Sequence, residues 1–141
     1  MDIPSIGYSM FPTIRQGDVC QFAPIDDQLL VGDILLFQSD EGTLIGHRLI
    51  RIIRSQDDTN FECKGDTNKY PDLIVTRDQL LGKLDMIRRT NRRGKSITIQ
   101  ANYYAFRAWG KVMLRLPFLS SSLRKLAQLI NASHAPREQR Q

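Results

Sequence analysis

The 141-residue chain reads as a mostly β domain, a small barrel-type sheet with amphipathic helices at its C-terminal end. Three observations predict this. Short runs rich in β-branched and aromatic residues recur up to residue 100, punctuated by Gly17-Asp18, Gly32-Asp33 and Gly65-Asp66, pairs that favour turns. Helical spacing of apolar residues appears only beyond residue 101. Charge is segregated in the same sense: residues 1–85 hold 8 Lys/Arg against 14 Asp/Glu, and residues 86–141 hold 12 against Glu138 alone, which sum to the 20 and 15 of the whole chain.

The elements follow in order. Gly7 to Asp18 is an irregular segment, because Pro12 fixes its own φ and pushes Phe11 towards an extended shape while Gly17-Asp18 turns the chain. Val19 to Ala23 is a short apolar strand, and Pro24 to Leu30 a loop. Ile34 to Phe37 is short and rich in β-branched and aromatic residues, the mark of a buried strand. Thr43 to Ile53 alternates, with Leu44, Gly46, Arg48, Ile50 and Ile52 on one side and Ile45, His47, Leu49, Arg51 and Ile53 on the other. Residues 55–59 make a polar hairpin tip before a strand at Phe61 to Lys64. Further strands are expected near Leu73 to Val75, over Leu80 to Ile87 and at Ser96 to Gln100. From Asn102, Phe106, Trp109 and Met113 recur at helical spacing with Arg107, Lys111 and Arg115 on a neighbouring face, until Pro117. Ser120 to Ser122 is positioned to cap a second helix with the stripe Leu119, Leu123, Leu126, Ala127 and Ile130. The division is therefore 1–100 for the β domain, 101–131 for a basic helical extension, and 132–141 for a disordered tail.

Size and composition bound the function. One domain of this length buries a real core, and 41% apolar with 25% charged residues is ordinary for a globular chain. Cys20 and Cys63 have no zinc or C-x-x-C spacing and read as small buried residues. No run approaches the ~20 apolar residues of a spanning helix, and Met1-Asp2-Ile3-Pro4 lacks a signal-peptide pattern. The expected location is the cytoplasm, or peripheral attachment at a membrane surface. The basic C-terminal part asks for an anionic partner. Cations beside Phe106, Trp109 and Met113 suit an anionic membrane surface contacted through residues 88–125, with packing of the same face on the β domain as the competing reading. Nucleic acid ranks last, since no binding motif accompanies the charge.

Three polar islands interrupt the β framework: Ser9, His47, and Asp66 with Asp72 in the loop 64–72. A serine hydroxyl becomes a useful nucleophile when a base within ~3 Å takes its proton, and the base works best when a third group orients it. These residue types supply those roles. At this point the sequence resembles the signal peptidase I-like serine endopeptidases, which share a fold with the self-cleaving domain of LexA-type repressors. The resemblance covers about residues 6–87 and rests on S-M-x-P-T with Gly17-Asp18, V-G-D-I-L-L-F at 31–37, H-R-L-I at 47–50, K-G-D-x-N at 64–68, Asp72, and L-G-K at 81–83.

The resemblance implies Ser9 as nucleophile and His47 as base, as in the branch that uses histidine followed by arginine in place of lysine. It makes Asp72 the orienting acid, with Asp66 a second acid of the same loop ranked below it. Arg48 takes a structural pairing role. Met10 either lines the substrate cleft or packs in the core. The substrate implied is a precursor or leader peptide, bound as an extended strand with small residues before the cleaved bond; no metal or cofactor is implied. Gly7 stands where relatives often place a serine that helps bind the oxyanion, which leaves the Ser9 N–H, a water or Ser5 as donors. Two alternatives stand beside this reading: a peptide-binding module on the same framework without catalysis, and a LexA-type self-cleaving domain, for which only eight residues precede Ser9.

Overall fold

The computed structural model describes residues 1–72, 74–101 and 104–133. Seven strands form one sheet: β1 (Asp2–Pro4), β2 (Val19–Ala23), β3 (Ile34–Gln38), β4 (Leu44–Arg54), β5 (Thr59–Lys64), β6 (Leu80–Thr90) and β7 (Ser96–Gln100). Two helices follow, α1 (Tyr104–Arg115) and α2 (Leu119–Ala132). The strand order is β1-β2-β6-β3-β4-β5, with β7 also on β6, and every pairing is antiparallel. β6 organises the sheet. Lys83 pairs with Ala23 of β2 and with Leu35 of β3, while residues 86–90 pair with β7, so β3 and β7 occupy successive halves of one edge.

The core lies on both faces of β3, the strand with Ile34, Leu35, Leu36 and Phe37 all buried. Ile34 and Leu36 join Met10, Ile14, Cys20, Phe22, Leu84 and Ile87 in one cluster. Leu35 and Phe37 join Leu29, Leu49, Phe61, Cys63, Val75 and Leu80 in another. An unbroken apolar run is what a strand sandwiched between two cores requires.

Closure of the sheet is partial. β1 and β5 end the strand order and are not paired with each other; the loops beyond them meet instead. Thr67 N–H donates to Ser9 O at 2.9 Å, and the Thr67 hydroxyl reaches Tyr8 O and Ser9 O at 3.2 Å each. Gly65 makes this approach feasible, since a Cβ there would sit 3.0 Å from Ser9 O.

Several sequence expectations are corrected. The pairing of β4 with β5 jumps from Leu49↔Cys63 to Arg51↔Glu62, a bulge that leaves Ile50 unpaired and reverses the alternation. Ile52 therefore packs against the same cluster as Leu49, where simple period two assigns them to opposite sides. Near Leu73 to Val75 there is no strand among the described residues: Val75 forms an isolated bridge to Phe61, and Leu73 lies outside them. The three-residue β1 and a 3-10 turn at Arg77–Gln79 carry no sequence signal of their own. Ser120 to Ser122 do not cap α2; Phe118 occupies the cap position with no side-chain bond. Ser120 is instead buried and accepts a hydrogen bond from Lys64 Nζ at 3.2 Å. The expected tail, like Asn102, lies in part outside the described residues.

Candidate active site

Ser9 lies on the irregular segment that leaves β1. Ser5 N–H bonds to Asp18 O at 2.8 Å, Gly17 N–H bonds back to Ser5 O at 3.1 Å, and Ile14 N–H bonds to Met10 O at 2.9 Å, which fold residues 5–18 into a compact lobe. Met10 and Ile14 are buried in the first cluster and anchor it. Asp18, 2% exposed, accepts from Arg15 N and from both Nε and Nη2 of Arg89, whose Nη2 also reaches Thr13 O. Arg89 carried no sequence signal, because its partner is 71 residues away.

His47 sits on β4 opposite Leu35 of β3. Its ring meets Phe37 edge-on at 6.4 Å, in a mainly apolar setting. The structure brings Ser9, His47 and Asp72 together. His47 Nε2 is 3.0 Å from Ser9 Oγ, and Nδ1 is 2.6 Å from Asp72 Oδ2. The loop after β5 delivers Asp72, whose N–H is held by Cys63 O at 2.8 Å. A carboxylate only accepts, so in the neutral ring the proton sits on Nδ1 and Nε2 presents a lone pair to the hydroxyl. Such an arrangement can deprotonate a serine.

Asp66 is not at His47. It takes Nε and Nη2 of Arg48 at 2.8 and 2.7 Å, and Thr13 Oγ1 at 3.3 Å. Arg48 and Asp66 are both buried, with side chains 1% and 2% exposed. The fork geometry satisfies two donors at once, and Gly32 O accepts from Nη1 at 2.9 Å. The pair is shielded from outside by α1: Phe106 stacks under the guanidinium at 5.9 Å, and a Cβ on Gly110 would stand 2.9 Å from Arg48 Nη1. Thr67, one residue on, was missed in sequence although its two bonds to Tyr8 O and Ser9 O seat the serine.

Beside Ser9 and His47 opens a cleft of about 510 Å³, largely apolar, between residues 3–7 on one side and Leu44 to His47 on the other, floored by Met10, Ile14, Cys20, Phe22 and Leu36. Met10 thus serves both core and cleft. Gly7 lies on the wall with φ +87° and nothing within 4 Å of a would-be Cβ. A serine there would meet backbone strain, not a clash. Burial pushes the thiol of Cys20, under the cleft, up to about 12, helped by Asp18.

Comparison with known proteins finds a partial match. The chain is 32% identical over 73 residues to signal peptidase I W of Bacillus subtilis (strain 168), a match that covers 50% of this chain and 38% of that protein. The chain spans well under half the length of the curated relative it matches. No family model matches, and no solved structure matches. The similarity is partial and distant, and it points to peptidase-like chemistry without naming a substrate or the residues responsible.

Proposed function

We propose that the chain is a serine endopeptidase of signal peptidase I type that cleaves a precursor or leader peptide after small residues. The observation that carries this reading is the continuous line from Ser9 Oγ through the His47 ring to Asp72, at 3.0 and 2.6 Å. Ser9 Oγ attacks the peptide carbonyl, His47 Nε2 takes its proton and returns it to the leaving amine, and Asp72 holds the ring in the required tautomer. The acyl-enzyme is then hydrolysed by water through the same base. Among the described residues the Ser9 N–H has no protein acceptor, so it is available to the developing oxyanion.

The cleft supports binding of an extended peptide. β5 pairs with β4 only from Arg48 onward, so the edge of residues 44–47 away from β3 has no strand partner among the described residues, and residues 44–47 line the cleft together with residues 5–7. A peptide strand entering between them gains main-chain hydrogen bonds. The test is turnover of a small-x-small peptide series by the full chain. Ser9→Ala and His47→Ala are each expected to abolish cleavage with the melting transition retained; unchanged turnover in either variant refutes the mechanism. Tight peptide binding without cleavage by the native chain would favour the non-catalytic binding module, for which Gly7 in place of a side-chain oxyanion donor is the supporting feature.

A further inference from the structure

The outer faces of α1 and α2 take no part in the cleft. α1 docks through Phe106, Gly110 and Met113, and α2 through Ser120 and Ala127. Away from those contacts, α2 exposes Leu126 (48%), Leu129 (70%) and Ile130, and the corner between the helices exposes Leu116 and Phe118 (67%). Residues 126, 129 and 130 share one helical face. Residues 104–133, which include this apolar surface, carry the exposed cations Arg107, Lys111, Arg115, Arg124 and Lys125 and no acidic residue. On α1 the three cations recur at i, i+4 and i+8, forming a stripe beside the apolar flank.

We infer that α1 and α2 form a lipid-binding face that adsorbs on an anionic membrane surface, with Phe118, Leu126 and Leu129 entering the boundary between headgroups and acyl chains and the five cations meeting lipid phosphates. Charge complementarity selects this occupant. A second copy meeting this one through the same face would bring five like charges against five. Nucleic acid would use the cations but leave the exposed aliphatic residues against water. Helices of this kind lie in the interface plane and need not span, in keeping with the finding that no helix among the described residues is long and apolar enough to cross a membrane. The inference does not depend on the chemistry of Ser9.

Trp109 is the chain's one tryptophan, so the full chain carries its own reporter. Vesicles of phosphatidylcholine with about 30% phosphatidylglycerol are expected to sediment the protein, and brominated acyl chains in them to quench Trp109; pure phosphatidylcholine binds more weakly by about fivefold per engaged cation. The double variant Leu126→Glu/Leu129→Glu changes exposed positions, so its melting transition is expected to stay within a few degrees of the parent while vesicle affinity drops at least about tenfold. Equal binding of parent and variant to the anionic vesicles overturns the inference. So does absence of vesicle binding by the parent, a dimer that the double variant splits into monomers without any lipid effect, or displacement from vesicles by duplex nucleic acid at equal phosphate concentration.

Discussion

Two aspartates of one loop take different partners six residues apart, and the difference is legible only in space. Asp66 neutralises a buried guanidinium; Asp72, with its side chain 19% exposed, faces an imidazole at the edge of the cleft. Removing the charge of Asp66 leaves Arg48 buried and unpaired, so Asp66→Asn is expected to cost about 3–5 kcal/mol in urea melts. Asp72→Asn is expected to cost only about 1 kcal/mol but to lower turnover by on the order of 10² to 10⁴, because an amide NH₂ facing Nδ1 favours the wrong tautomer. Equal stability losses in the two variants would contradict this assignment. Both acids and His47 stand out in the sequence as polar residues inside a β framework. The partner of each does not, since Asp72 reaches His47 across 25 residues and Asp66 reaches Arg48 across 18.

At the scale of elements, α1 comes close to the β domain at Gly110. Gly110 lies where a side chain would meet Arg48 Nη1 at 2.9 Å, and Arg48 is pinned by Asp66 and Gly32 O and cannot step aside. Gly110→Leu is therefore expected to lift α1 from the sheet at a cost of about 1–3 kcal/mol, with a red-shifted Trp109 emission; a variant as stable as the parent with unchanged emission would show that α1 is not seated on Arg48. The sequence left two uses for the amphipathic α1, packing or membrane contact. The structure packs Phe106, Gly110 and Met113 of the apolar face on the β domain and leaves Arg107, Lys111 and Arg115 exposed. A helical wheel identifies both faces but cannot say which one meets protein. Similarly, the alternation of β4 is visible in its residues, but the bulge at Ile50 arises from the fit to β5 and belongs to neither strand alone.

For the whole molecule, the two core clusters share β3, with Leu35 and Phe37 in one and Ile34 and Leu36 in the other. Neither cluster can open without disturbing the strand that supports its counterpart, so both should be lost in one transition. Cys20 and Cys63 report on them separately. Both thiols are buried and free, and a thiol reagent is expected to find neither in the native protein and both, with a single midpoint, as guanidinium rises; two separate midpoints would mean two independent units. Desolvation pushes each thiol from its ordinary 9.0 up to about 12, with Asp18 adding to the effect at Cys20 and Asp72 at Cys63. The unfolded chain then releases protons from about pH 9 while the folded chain retains them, so unfolding becomes easier between pH 9 and about 12. Replacing both cysteines with alanine should flatten that alkaline decline, as measured by melts across this range.

By itself, the sequence determined the strands β2 to β7, where the Gly-Asp turns fall, that helices come last, and which polar side chains interrupt the β framework, because turn preference, residue period and isolated polar groups are local properties. Tertiary structure alone decided that the sheet closes through the Thr67 contacts with Tyr8 and Ser9, that Ser120 receives Lys64 instead of capping its helix, and that Asp72, not Asp66, stands on His47. Those outcomes depend on distances between residues far apart in the chain, and such distances exist only once two cores have packed against a common strand.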